Sequence, residues 1–387
     1  MTATTLLRLP TLQPRPLIVA AIGAMILYAG LAVPADLSGQ ARASLVAVAL
    51  AMLGWIGTRL PESLVALAAV LGLVLSGVLT EQTLFEALGS ELIWLLLSAF
   101  VIAAVLKDAR LTERLIAPIL RRPVRLDLFF LLLTFAIAAT AFVLPSTSGR
   151  AALLMPIFVA LIPALPDPRL VRPLALLFPT VILLSAGASL IGAGAHLLAV
   201  ESIRAATGLR IGYLDWALLG LPFALLASLA GCLLILWIFV PAGLRSVRIV
   251  APEAAEIPDD LRARQRRIAI VLALVVGLWL TAGLHGLGIA LTALIGALVL
   301  LTKPFTPRKT KEMFRAVDVE LLLYMAATVL LAQAMTQTGA DRWLAQAAIG
   351  VLPASLAQSL PAVAVLLSVI AVAAHLLSPH ARPGRRC

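Results

Sequence analysis

Val143-Leu-Pro-Ser-Thr-Ser-Gly-Arg-Ala-Ala-Leu-Leu-Met-Pro156 is the stretch on which the fold turns. It sets a proline, hydroxyl residues, a glycine and Arg150 between two apolar runs, 128–145 and 151–165. Hydrocarbon tolerates open polar backbone only where that backbone lines a cavity or is buried in protein. An ordinary loop between two membrane helices is the simpler reading. The flanking runs are too short and too close together for it, since a full crossing takes about 17–25 apolar residues. The stretch reads instead as the tip of a re-entrant hairpin with two half-penetrating arms.

The rest of the chain supplies the membrane. Of 387 residues, 62% are hydrophobic and 13% charged, against roughly 25% charged in a soluble domain. Further apolar runs fall near 17–34, 42–60, 62–79, 88–106, 173–203, 214–241, 268–285, 287–302, 318–338 and 360–377. The fold class is therefore an all-α polytopic membrane protein. The net charge of +11 does not indicate nucleic acid. The Lys and Arg residues sit in short loops beside apolar runs, at 107–127, 242–267 and 303–315, while the 80–91 segment carries Glu81, Glu86 and Glu91 and no cation. That is the positive-inside pattern, and it puts the N-terminus and the three basic loops in the cytoplasm of a cell with the chain in its inner membrane. The first run follows Arg8 and Arg15 and reads as an uncleaved helix rather than a signal peptide. Cys232 and Cys387 imply neither a disulfide nor a zinc framework.

A second interruption lies in Leu184-Ser-Ala-Gly-Ala-Ser-Leu-Ile-Gly-Ala-Gly-Ala-His196. Each glycine costs a helix interior up to ~1 kcal/mol, and a run from 173 to 203 is oversized for one crossing. A broken helix with an unwound centre accounts for both facts. Close helix–helix packing through small residues is the alternative. A weak internal repeat adds to the picture. Phe85-Glu-Ala-Leu-Gly-Ser-Glu-Leu92 and Phe314-Arg-Ala-Val-Asp-Val-Glu-Leu321 share Phe, Ala, Glu and Leu at equivalent positions, each ahead of an apolar run. The first starts from the acidic side and the second from the basic side, which is an inverted repeat of the kind that secondary transporters use.

Three segments then carry a resemblance. Ser146-Thr-Ser-Gly-Arg-Ala-Ala-Leu-Leu-Met-Pro-Ile157, Gly192-Ala-Gly-Ala-His-Leu-Leu198 and Ile211-Gly-Tyr-Leu-Asp-Trp-Ala-Leu-Leu-Gly-Leu-Pro222 resemble, in order, the Ser-Asn-Thr, Gly-Thr-Pro-Pro-Asn-Leu and Phe-Leu-Asp-Trp…Gly-Leu-Pro segments of the divalent anion/sodium symporters of the ion transporter superfamily. The resemblance implies a hairpin tip and a broken helix facing a dicarboxylate, citrate or sulfate, and a homodimer. On this reading Ser146, Thr147, Ser148 and Arg150 on the hairpin, with Ser189, Gly192, Gly194 and His196 on the broken helix, are the expected substrate-binding residues. The departures are Thr147 for Asn, Ser148 for Thr, Arg150 for a small or hydroxyl residue, and His196 for Asn. An arginine at the tip offers a bidentate partner for an anion and repels a nearby sodium ion. Weak or absent sodium coupling is expected, with His196 as a proton carrier, so the coupling ion is Na+ or H+. The alternatives are a snorkelling Arg150 and a packed, neutral His196.

The remaining ionisable groups are weaker candidates. Glu91 and Glu320 read as helix N-terminal carboxylates opposing the macrodipole, and Glu201 as a partner of Arg204. No metal or nucleotide motif is present, and no nucleophile–base pairing, so the chain is not an enzyme and needs no cofactor. The expected organisation is 1–41, tail and first membrane helix; 42–241, first repeat, with hairpin 128–165, broken helix 173–203 and helix 214–241; 242–267, cytoplasmic loop; and 268–387, second repeat. That second repeat reads as incomplete. Its first hairpin arm, 360–377, leads to Leu377-Ser-Pro-His-Ala-Arg382 and then Pro-Gly-Arg-Arg-Cys387, which reads as a truncation or frameshift, with a genuine short basic tail as the other reading. The function expected is secondary transport of a small, divalent anion through the bilayer; the alternative is a non-transporting remnant, or a subunit that needs a partner chain.

Overall fold

The computed structural model describes residues 22–28, 37–111, 123–144, 146–249, 258–350, 359, 361–366 and 368–369. In chain order the principal helices are α1 (Gly39–Gly57), α2 (Glu62–Leu75), α3 (Glu81–Leu88) and α4 (Glu91–Asp108), then strand β1 (Val124–Arg125). After it come α5 (Leu126–Ala139), α6 (Thr147–Leu161), α7 (Val171–Ser185), α8 (Gly194–Thr207) and α9 (Tyr213–Phe239). Strand β2 (Arg248–Ile249) precedes α10 (Asp259–Leu280), α11 (Ile289–Leu300), α12 (Val319–Thr338) and α13 (Ala340–Gly350). Most of the first expected membrane helix, the end of the expected arm 360–377 and the tail after it lie outside the described residues; of that arm, 361–366 and 368–369 are helical.

Among the described residues, five segments are long and apolar enough to cross a membrane: Gly39–Gly57, Glu81–Asp108, Pro168–Ala188, Tyr213–Phe239 and Val319–Thr338. The chain is a multi-pass α-helical membrane protein, and α9 shows why lipid must be its solvent. Leu218, Leu219, Phe223, Leu226 and Trp237 are each more than 65% exposed on one helix, an apolar surface that water would penalise heavily. Glu91 and Glu320 both stand in the first turns of their helices, α4 and α12. Among the described residues, the one strand pairing is a two-residue antiparallel one, Val124 with Ile249 and Arg125 with Arg248. It joins the approach to α5 to the loop that follows α9.

Packing divides the chain into two compact units, Met1–Leu88 with Leu323–Cys387, and Gly89–Leu322. They group residues by contact and do not follow the expected repeat boundaries, which concern chain symmetry. In the first unit, α1, α2 and α12 close a core of small and branched residues, including Ala51, Ala66, Val70, Ala327 and Leu330. Gly54 lets α1 meet α2, because a Cβ there would lie 2.6 Å from Val65 Cγ1.

Among the described residues, two cores stand out in the second unit. One joins α4, α10 and α11 through Val101, Val105, Ile268, Leu272, Ala297 and Leu300. At its end Asp108 pairs with Arg264 and Arg308, so a carboxylate that ends α4 gathers two arginines of the basic loops. The other core is built from α5, α6, α7 and α9, with Phe130, Leu133, Leu154, Leu177, Val181 and Cys232 inside. This core fixes the positions of both interrupted segments.

Candidate functional site

The hairpin stretch folds as two short helices. Helix α5 has 14 residues and α6 has 15, so at 1.5 Å per residue each runs about 21–22 Å, against ~30 Å of hydrocarbon. Helix α5 runs on into a 3-10 turn at Thr140–Phe142, and α6 starts at Thr147. Ser146 caps α6: its backbone is extended (φ −141°, ψ 131°) and its Oγ accepts the Gly149 N–H at 3.2 Å. That is the standard geometry by which serine satisfies an orphan N–H of a first turn. Thr147 opens the helix, half-buried, and Ser148 follows in the same turn.

The second interruption is a break in the helix. Helix α7 ends at Ser185, two 3-10 turns follow at Ala186–Ala188 and Leu190–Gly192, and α8 starts at Gly194. Ser189 and Ala193 are both extended, with φ −127° and −151°. Gly192 is required here by space: a Cβ would lie 2.2 Å from the Ala186 carbonyl oxygen. Ala193 caps α8 without a side-chain hydrogen bond, which leaves that first turn without a side-chain acceptor for its N–H groups. The 3-10 turn at 140–142 packs on the turns of the break, so the two interruptions meet.

Arg150 is the polar centre of this meeting. Sequence reasoning aimed its guanidinium at an anion, or at the cytoplasmic interface by snorkelling. The structure places it against protein oxygens with no exposed surface. Its Nε donates to Thr140 Oγ1 at 2.9 Å, one terminal nitrogen to Ile182 O at 2.9 Å, and the other to Ile137 O at 2.9 Å and Ser185 Oγ at 2.7 Å. Thr140 and Ser185 in turn donate to Ile137 O and Val181 O. No carboxylate pairs with Arg150 among the described residues. The reason is geometric. Arg150 sits in the first turn of α6, and its long side chain reaches the last turns of both α5 and α7, whose carbonyls have no complete set of intrahelical donors.

Helix α9 clamps the break from outside. Trp216 Nε1 donates to Gly187 O at 3.0 Å, and Tyr213 Oη lies 3.1 Å from the buried Ser189 Oγ. Gly220 faces the same Gly187 carbonyl, where a Cβ would come within 2.1 Å. Tyr213 packs its ring on Trp279 at 5.0 Å. His196 stacks on Trp216 at 4.9 Å, and its Nδ1 lies 3.1 Å from Ser189 O. A carbonyl only accepts, so Nδ1 carries the hydrogen and Nε2 is the nitrogen left to gain one. Glu201 and Arg204 form an ion pair of 2.5 Å on α8.

Thr140, Tyr213 and Trp216 were not singled out as site residues from sequence. Thr140 is one hydroxyl in a long apolar run, a pattern that usually means a side chain bonded back to its own helix. Tyr213 and Trp216 stand in the segment quoted above for its resemblance, so their signal was present without a role attached.

Residues 48–381 match the model of the citrate transporter family, and the chain belongs to that family. It is a transporter of an ion-transporter type and not an enzyme, and the family's activity is secondary transport of citrate or related small anions. None of the curated proteins compared with the chain matches it.

Proposed function

We propose that this member of the citrate transporter family carries citrate or a similar small carboxylate across the cytoplasmic membrane by alternating access. The observation that carries the reading is the packing of the two helix interruptions on each other in one compact unit. Discontinuous helices serve transporters in this way: half-helix N-termini face anionic groups, and half-helix C-terminal ends face cations. In this reading 128–165 is a re-entrant hairpin, and the basic loops with the N-terminus lie in the cytoplasm. Ser146, Thr147, Ser148, Gly194 and His196 present donors to the anion. Arg150, Ser189 and Gly192 hold the interruption in shape, since all three are buried. His196 Nε2 carries the coupled proton. The working form is a homodimer.

The test is uptake of radiolabelled citrate by reconstituted vesicles under an imposed pH gradient, with succinate and sulfate as competitors. Accumulation that a carboxylate suppresses and sulfate does not is the expected result. If labelled citrate does not accumulate under either a proton or a sodium gradient, the reading fails.

A further inference from the structure

The surroundings of Arg150 are unusual for an arginine. Its partners are two backbone carbonyls, Ile137 O and Ile182 O, and two hydroxyls, Thr140 Oγ1 and Ser185 Oγ, all within 2.7–2.9 Å of its nitrogens. A buried arginine is ordinarily balanced by a carboxylate. Here the balance comes from dipoles, and both carbonyls belong to the last turns of helices, where the macrodipole concentrates partial negative charge. Carbonyl and hydroxyl oxygens at the C-terminal ends of interrupted helices are the donor set with which transporters hold a small monovalent cation.

We propose that Arg150 is a tethered cation filling a monovalent-cation cage formed by Ile137, Thr140, Ile182 and Ser185. The side chain supplies from within the charge that a dissolved sodium ion would bring to this place. Two consequences follow. The protein needs no sodium to complete the junction of its interruptions. Emptying the cage by truncating Arg150 creates a sodium site, in which an ion with retained water takes up the freed carbonyls and hydroxyls. The guanidinium is thus a positioning residue: it fixes the ends of α5 and α7 and gives the neighbouring α6 first turn a positive field without touching the anion.

The experiment compares wild type, Arg150→Ala and Arg150→Lys as purified full chains, by thermal unfolding in sodium chloride, potassium chloride and choline chloride at equal ionic strength. Wild type should unfold at the same temperature in all three salts. Arg150→Ala should unfold several degrees lower in choline and recover with sodium along a saturable curve. Arg150→Lys, which keeps a point charge in the cage, should fold in every salt and show no sodium dependence. A saturable sodium effect on wild type would overturn the proposal. So would an Arg150→Ala variant equally weakened in all salts. If Arg150→Ala cannot be purified, the lysine variant decides: loss of folding in every salt refutes the cage, because a cage of oxygens does not need the planar guanidinium. The inference bears on the coupling ion of the transport reading, yet these unfolding measurements need no substrate. Sodium-dependent citrate uptake by wild type would also refute it, whereas absent uptake with the expected unfolding behaviour would count against the transport reading alone.

Discussion

Replacing Gly192 by alanine tests whether the break between α7 and α8 is held by steric contact. The added Cβ would stand 2.2 Å from Ala186 O, with Ala186 C at 3.1 Å. Ordinary contact needs well over 3 Å, so the two 3-10 turns must separate by about 1 Å. Both neighbours are backbone, and no rotamer change relieves the clash. Overpacking of this kind costs roughly 1–3 kcal/mol, and it displaces Ser189, whose carbonyl meets His196 Nδ1. Gly187 is the internal control. It lies in the same interruption, yet a Cβ there meets nothing within 4 Å. Thermal unfolding should therefore fall by several degrees in Gly192→Ala and hold within about one degree in Gly187→Ala, taking ~2–4 °C per kcal/mol. Citrate uptake should fall severalfold more in the first variant than in the second. Equal effects of the two substitutions would show that helix propensity, and not the close approach to Ala186, governs this segment.

Gly220→Ala, whose Cβ would meet Gly187 O at 2.1 Å, should lose stability to a similar degree by pushing α9 off the break, as unfolding temperature will show. Trp216→Phe keeps a ring for His196 to stack on but removes the donor to Gly187 O; a loss of about 1–2 kcal/mol is expected for the orphaned carbonyl, read by chemical or thermal unfolding. Ser146→Ala removes the α6 cap at about 1 kcal/mol, and unchanged stability would mean that the Gly149 N–H finds another acceptor. Asp108→Ala leaves Arg264 and Arg308 without their shared carboxylate. It should cost about 1–3 kcal/mol, because Asp108 is largely buried while Arg308 stays partly exposed.

Both interruptions were visible in the chain because their causes are local. Gly, Ser and Pro inside apolar runs break the propensity and length rules that make a membrane helix, so 143–156 and 184–196 stood out without coordinates. The close fit of Gly192 to Ala186 O could not be seen in the same way: six residues of separation say nothing about distance until the turns are folded.

The sequence by itself determined the solvent of this protein, its helical class and the two places where its helices cannot continue. Each follows from composition and from periodicity along a single segment. Tertiary structure decided what Arg150 does. Its hydrogen bonds run to residues 10, 13, 32 and 35 positions away, in helices that meet only because Phe130, Leu133, Leu177 and Val181 pack into one core. Read along the chain, the arginine is a charge at the tip of a hairpin, open to an anion. In the folded protein its donors are taken by the carbonyl ends of two helices, because oxygens there keep lone pairs that can still accept.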